Sequence, residues 1–245
     1  RGNIFDRNGV LLAGNATTYS VYARPNAIED KAEAARVLAD LFSLDEQDLY
    51  DLLTVSKVSE RTIVRKVDKE IVQKLEGSGL TGVYYARDNT RIYPHGELLG
   101  RVLGFTSVDN SGLTGLEKYY DKFLAGMDGE IATMTDLVGK ETGDAPVYRP
   151  ATDGLDLQLT IDYEIQTIAE NALMKVCEQY SPVNAQCIVL DPDTFDVLAM
   201  AEWPCYDLNN VPRDDAETLN ALSRNNLVSD IYEPGSTFKI VTAAA

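Results

Sequence analysis

The spacing of apolar and polar residues changes period several times along the chain. Over residues 1–15 apolar residues flank Asn8-Gly9, a dipeptide suited to a tight hairpin turn, which predicts strand, turn, strand. Over 27–42 and 45–53 apolar residues recur at spacings of three and four, predicting two short amphipathic helices with acidic starts. A strand over 62–67 follows, then Asp68 as the cap of a helix through 75 that ends at Gly77-Ser78-Gly79. Residues 82–87 and 89–93 read as paired strands, 115–124 as a helix, and the stretch to 150, after a turn at 126–129, as strand-rich.

The character changes at Thr152-Asp153-Gly154, after which residues 155–161 alternate cleanly as a strand. Asp162 is placed to cap a long helix over 163–180, and a hairpin of 185–190 with 196–201 turns at Asp191-Pro192-Asp193-Thr194. Loop follows over 204–212, and a final helix starts at Glu233-Pro234-Gly235, with Glu233 as its expected first acceptor. The pattern predicts an α+β fold rather than a βαβ repeat, in two domains, 1–150 and 151–245. The opening strand is too short to stand alone and is expected to pair with residues beyond 100.

Composition narrows the chemistry. The net charge is −17, and it is unevenly spread: residues 1–150 carry 18 Lys+Arg against 23 Asp+Glu, residues 151–245 only 4 against 16. Such a surface repels polyanions, which argues against nucleic acid and anionic lipid as partners. Arg1 stands where an initiator Met would, and no run of 18 apolar residues occurs, so neither a signal peptide nor a membrane span is expected within these residues. Cys177, Cys187 and Cys205 are odd in number and lack a Cys-x-x-Cys spacing, and are expected to be unpaired. With His95 the only histidine, a His-based triad or multi-histidine metal site is excluded within this chain.

Of all the serines, only Ser236 has a lysine three positions on, Lys239. On a helix that spacing sets both side chains on one face, where they can share a proton. A serine hydroxyl becomes a useful nucleophile once a neighbour takes its proton, and a lysine can do so if burial disfavours its charged form. Pro234 suits a first helical turn, and the helix N-terminus favours negative charge near Ser236. Alone, Ser-x-x-Lys is a common coincidence whose bland reading is a surface serine beside a solvated lysine. Context favours chemistry, because residues 240–245 continue an apolar, small-residue helix expected inside a core, with Lys239 partly buried.

Tyr232-Glu233-Pro234-Gly235-Ser236-Thr237-Phe238-Lys239 is similar to the first active-site motif of penicillin-binding proteins. Residues 1–13, opening Arg1-Gly2-Asn3-Ile4, resemble the first motif of the class B non-penicillin-binding pedestal, and Leu103-Gly104-Phe105 through Gly112-Leu113-Thr114-Gly115-Leu116-Glu117 resembles another. Gly154 through Asp162 with Ile165-Gln166 resembles the start of the transpeptidase domain, and Val189-Leu190-Asp191-Pro192 with 198–201 its first hairpin. Phe195 departs from the pattern, since that turn usually carries glycine. Arg1, Asp6, Arg7, Gly112, Gly115 and Glu117 read as turn glycines and ion pairs of the pedestal rather than as site residues.

The resemblance implies an elongated, strand-containing pedestal over 1–150, followed by the first part of a penicillin-binding, β-lactamase-like transpeptidase domain over 151–245, cut off after the Ser-x-x-Lys motif. It implies serine acyl transfer from D-Ala-D-Ala stem peptides, with Ser236 as nucleophile and Lys239 as base, inhibition by β-lactams, and no metal or organic cofactor. Implied partners are stem peptides, β-lactams, a membrane glycan polymerase and other cell-wall synthesis proteins, at the extracytoplasmic face of a bacterial membrane through an anchor outside this chain. The companion Ser-x-Asn and Lys-Thr-Gly motifs do not follow Ser236; Ser223-Arg224-Asn225 precedes it, and Lys140-Glu141-Thr142-Gly143 has the wrong spacing, so both are read as coincidences. The 245 residues are accordingly expected to be inactive by themselves. The alternative is a non-catalytic docking module for cell-wall synthesis partners; a β-lactam-sensing or β-lactam-hydrolysing relative is disfavoured by the pedestal motifs.

Overall fold

The structure, a computed structural model, describes residues 1–54, 59–132, 147–213 and 215–244. Its opening is the hairpin that Asn8-Gly9 announces: β1 (Ile4–Phe5) and β2 (Leu11–Ala23) run antiparallel, and Gly9 takes φ +89°, an angle that costs glycine nothing. Inside the turn the Asp6 carboxylate accepts the amides of Asn8 at 2.8 Å and Val10 at 2.7 Å.

The two predicted helices follow as α1 (Lys31–Phe42) and α2 (Glu46–Thr54). The first starts later than its periodicity suggests, because Asp30 accepts the amides of Ala32 and Glu33 and so defines the N-terminus, while Pro25–Ala27 forms a separate 3-10 turn. Next come β3 (Arg61–Val67), α3 (Lys69–Ser78) and β4 (Val83–Ile92). Gly79 closes α3 in the left-handed region, as expected, but Asp68 stands at its start without a side-chain capping bond.

The reading of 82–87 and 89–93 as two paired strands is corrected: they form the one strand β4, paired with β2 residue for residue from Ala23↔Val83 to Gly14↔Ile92. Asp88 does not turn the chain because its carboxylate is used across the sheet, accepting Ser20 Oγ at 2.6 Å and facing Arg65 Nη2 at 3.8 Å. β2 is thus the spine of a five-stranded sheet that also contains β3, β4 and β1. The helices α1, α2 and α3 cover it around Val21, Ala23, Leu38, Leu53 and Val72, all buried.

Beyond β4 lie α4 (Gly100–Leu103), α5 (Gly115–Tyr119) and α6 (Asp121–Leu124). The single helix expected over 115–124 is broken at Tyr120, whose ψ of +16° is not helical. β5 (Glu130–Ala132) and β6 (Val147–Arg149) pair antiparallel; the rest of the strand-rich reading up to 150 and Lys140-Glu141-Thr142-Gly143 lie outside the described residues.

The strand expected over 155–161 shortens to β7 (Leu157–Gln158) because its partner β1 is itself two residues long. The pairing is parallel, Ile4 with Leu157 and Phe5 with Gln158, so the first strand of the chain sits between β2 and β7 and does reach residues beyond 100. α7 (Tyr163–Tyr180) then runs as predicted from Asp162, which accepts the amides of Glu164 and Ile165. The hairpin of β8 (Ala185–Leu190) and β9 (Val197–Trp203) packs against it through Ala169, Ala199 and Ala201. Two helices that the sequence reading missed follow, α8 (Ala216–Ser223) and α9 (Asn226–Ser229), before a 3-10 turn at Gly235–Phe238 and α10 (Lys239–Ala244).

One core joins early and late segments. Ile4, Leu12, Leu99, Leu103, Phe105 and Leu124 pack with Ile161, Tyr206 and Leu208. Burying aliphatic and aromatic side chains contributes about 1.5–3 kcal/mol apiece, so residues 1–124 and 161–208 stabilise each other directly.

Candidate active site

Ser236 lies in the 3-10 turn, and the Lys239 amide donates back to the carbonyls of Ser236 and Thr237. In such a turn residues three apart eclipse, so the two side chains leave the backbone on one side. Gly235, at φ +54°, precedes the serine and makes the bend possible. Neither side chain is enclosed: Ser236 and Lys239 are both exposed. The expectation that the following helix lies inside a core is corrected, since Phe238 is 56% exposed, Ile240 75% and Val241 56%. Its apolar face has no covering element among the described residues, and Lys239 is not desolvated. Glu233 is likewise not the helix-start acceptor; the turn starts from Pro234, with no side-chain capping bond.

The approach to this turn is anchored firmly. Arg101, in α4, donates from Nε and Nη2 to the Pro204 carbonyl at 3.2 and 2.9 Å, and from Nη1 to the carbonyls of Ala221 at 3.1 Å and Arg224 at 2.9 Å. Its Nη1 also lies 3.4 Å from Glu202 Oε1, with both side chains buried. Glu202 in turn accepts the Asn226 amide at 3.2 Å and Asn226 Nδ2, at the start of α9. Asn209 reads the backbone of Tyr93 twice, accepting its amide at 3.0 Å and donating to its carbonyl at 2.8 Å. These residues escaped the sequence reading. The available signal was a lone arginine inside the apolar run Leu98-Leu99-Gly100-Arg101-Val102-Leu103, since a charge in such a run is buried and must be paired.

The motif residues assigned to the framework do build it. Glu117, fully buried, accepts Arg91 Nε at 2.6 Å on one oxygen and Arg1 Nε at 2.8 Å on the other. Arg1 Nη1 also reaches Asp121 Oδ1 at 2.7 Å and the Asn110 carbonyl at 2.9 Å. Burial pushes the Asp121 carboxyl up, but the Gly112 amide and the Arg1 guanidinium together outweigh it and hold the carboxyl below the usual range. Gly112 has no room for a side chain, as a Cβ there would come within 2.0 Å of the Glu117 carbonyl oxygen. Asp6 Oδ2 accepts the Tyr163 amide at 3.1 Å, so the opening turn also helps to cap α7. Arg7 contributes its amide, 2.8 Å from the Ile161 carbonyl, while its side chain is exposed.

The three cysteines are free, with Cys187 opposite Ala201 in the hairpin, and burial pushes the Cys205 thiol pKa up. His95 packs on the ring of Tyr163, centroids 4.5 Å apart. Among the described residues no group of three metal-ligating side chains occurs, and no helix is long and apolar enough to cross a membrane. Ser223-Arg224-Asn225 ends α8 and caps α9 through Asn225, a framework role.

A family model described as the penicillin-binding protein dimerisation domain matches residues 1–159, and one described as the penicillin-binding protein transpeptidase domain matches 185–245. The chain is 38% identical over its whole length to stage V sporulation protein D of Bacillus subtilis, of which it covers 38%. It is 33% identical to the probable peptidoglycan D,D-transpeptidase PenA of Neisseria meningitidis, with 98% of the chain and 41% of that protein aligned. A solved complex of the penicillin-binding protein PBP2 with MreC from Helicobacter pylori superposes with a TM-score of 0.73 at 23% identity, over 99% of this chain and half of that one. The chain thus spans about two fifths of the curated relatives it matches. With a dimerisation-type domain, the start of a transpeptidase domain and the Ser236 motif in that order, the chain belongs to the class B penicillin-binding proteins.

Proposed function

We propose that the protein carrying this chain is a peptidoglycan D,D-transpeptidase in which Ser236 is the nucleophile and Lys239 its base, with a pedestal over residues 1–150 and the catalytic domain starting at 151. The observation that carries the reading is the Pro-Gly-Ser-x-x-Lys turn, with Ser236 in the 3-10 turn and Lys239 closing it, inside the segment matched by the transpeptidase family model. Ser236 attacks the D-Ala-D-Ala carbonyl of a stem peptide, the proton passes to Lys239, D-Ala leaves, and an amine of a neighbouring strand takes the acyl group. β-Lactams stop the cycle by acylating the same oxygen. The Ser236 amide serves as one oxyanion donor. The partners are other cell-wall synthesis proteins, a membrane glycan polymerase among them, at the outer face of the bacterial membrane.

The two motifs the reaction also requires do not follow Ser236 in these residues. Lys239 is exposed here, whereas its role as base needs a closed, water-poor pocket. Losing one oxyanion donor slows acyl transfer by about a hundredfold or more. The test compares this chain with the full-length protein by fluorescent penicillin labelling on a denaturing gel. The full-length protein is expected to label and its Ser236→Ala variant to stay dark, with this chain labelling at least about a hundredfold more slowly. Labelling of the Ser236→Ala variant at the unmodified rate would overturn the assignment; Ser236-dependent labelling of this chain at the full-length rate would overturn the account of the missing donor.

A further inference from the structure

We propose that Arg101 is the positioning residue through which the pedestal sets the course of the chain toward Ser236; the role rests on the reading of Ser236 as the nucleophile. Arg101 belongs to the first 150 residues, yet every partner of its guanidinium among the described residues lies beyond residue 200: the carbonyls of Pro204, Ala221 and Arg224, and the carboxylate of Glu202. Those carbonyls come from two separate stretches, the end of the β9 hairpin and the last turn of α8. One planar fork therefore fixes both at once.

The local chemistry explains the choice of residue. The last turn of a helix leaves carbonyls without intrahelical partners at its negative end, and α8 ends at Arg224 in extended conformation without a left-handed glycine to satisfy them. Arg101 caps it from outside. Close approach is possible because Gly100 carries no side chain, a Cβ there falling 2.7 Å from Cys205 Sγ and 3.0 Å from the Tyr206 carbonyl oxygen. Five donors in a rigid fork can satisfy three carbonyls, whereas a lysine ammonium on a flexible stem cannot span them.

The clamp continues toward the serine. Glu202, paired with Arg101, holds the first residue of α9 through Asn226, and Arg224 itself pairs with Asp230 at 2.5 Å. Past Asp230 the chain runs to Ser236 with Ile231 fully in solvent and Pro234 alone half-buried. Among the described residues the Arg101 clamp is thus the last buried polar junction before the nucleophile.

The test uses the full-length protein with Arg101→Lys, the double variant Arg101→Met with Glu202→Gln, which leaves no buried charge unpaired, and Ser236→Ala as the blank. Two quantities are read: the acylation rate constant at saturating fluorescent penicillin, separated from apparent affinity, and backbone hydrogen exchange. The double variant is expected to acylate at least tenfold more slowly at saturation and to exchange at least tenfold faster over residues 216–229, with exchange in β2 and β4 unchanged. Arg101→Lys is expected to fall between. An acylation rate within twofold of the unmodified protein, or exchange accelerated equally in all elements, overturns the positioning role. Labelling that survives in Ser236→Ala overturns the nucleophile assignment instead, while the exchange pattern still judges the clamp.

Discussion

Replacing Glu117 by glutamine tests whether the buried ionic cluster at the start of the chain holds the pedestal together. The substitution keeps the shape of the side chain and removes its charge. In the native structure both oxygens accept guanidinium donors at 2.6–2.8 Å, and the side chains of Arg1 and Arg91 are each 2% exposed beside a glutamate at 0%. Without the negative charge, Arg1 retains Asp121, but Arg91 is left with neutral acceptors alone, the amide oxygen of the new glutamine, the Gly2 carbonyl at 2.7 Å and Asn15 at 3.3 Å. Breaking a buried pair while leaving its cation in place costs about 3–5 kcal/mol, a large share of the roughly 5–15 kcal/mol that stabilises a domain. With a urea slope of about 2 kcal/mol per molar, the first unfolding transition moves down by about 2 M. Urea titration followed by far-ultraviolet circular dichroism measures this. Adding Arg91→Met to the glutamine variant removes the stranded charge, so the double variant is expected to lose at least 1.5 kcal/mol less than the sum of the two single losses, in the manner of directly coupled residues. A loss below about 1 kcal/mol for Glu117→Gln, or strict additivity, would show that the cluster is not a stability determinant.

Other substitutions and titrations probe separate parts of the argument. Phe195 sits at φ +61° and is 74% exposed, so Phe195→Gly relieves a strain of about 1–2 kcal/mol against a smaller entropic cost, and a rise in melting temperature is expected; a fall would refute the strain. Deleting residues 1–13 removes β1 from between β2 and β7 together with the buried Ile4, Asp6 and Leu12, and cooperative unfolding is expected to be lost, whereas an unchanged melting curve contradicts the pairing. A thiol reagent should titrate three cysteines in the denatured, unreduced protein, and one instead of three would reveal a disulfide. Tyr206 has its pKa pushed up to about 12, chiefly by burial. Its folded form thus holds the proton more tightly than the unfolded one, and its contribution is present below about pH 10 and lost as pH rises toward 12; Tyr206→Phe should flatten stability over that window, and an unaltered pH slope would refute this.

Elements that depend on neighbours in the chain were legible from the sequence. Asp162 before eighteen helical residues, the Asn8-Gly9 turn and the hairpin expected over 185–190 and 196–201 express local capping, turn and alternation preferences, and each formed there, the second hairpin strand running on to Trp203. The Ser236 to Lys239 spacing was legible for the same reason, as one turn of helix is a local property. Partners across the fold decided the rest. Asp88 reads as a break until Ser20 and Arg65 meet its carboxylate across the sheet, and 155–161 reads as a full strand until a two-residue partner limits it. Helix α8 has no buried residue, and its C-terminal turn is held by Arg101, 120 and 123 positions away from the carbonyls it caps. Burial of α10 likewise could not be read from its apolar composition, because an apolar face is buried only where another element meets it, and the described residues supply none.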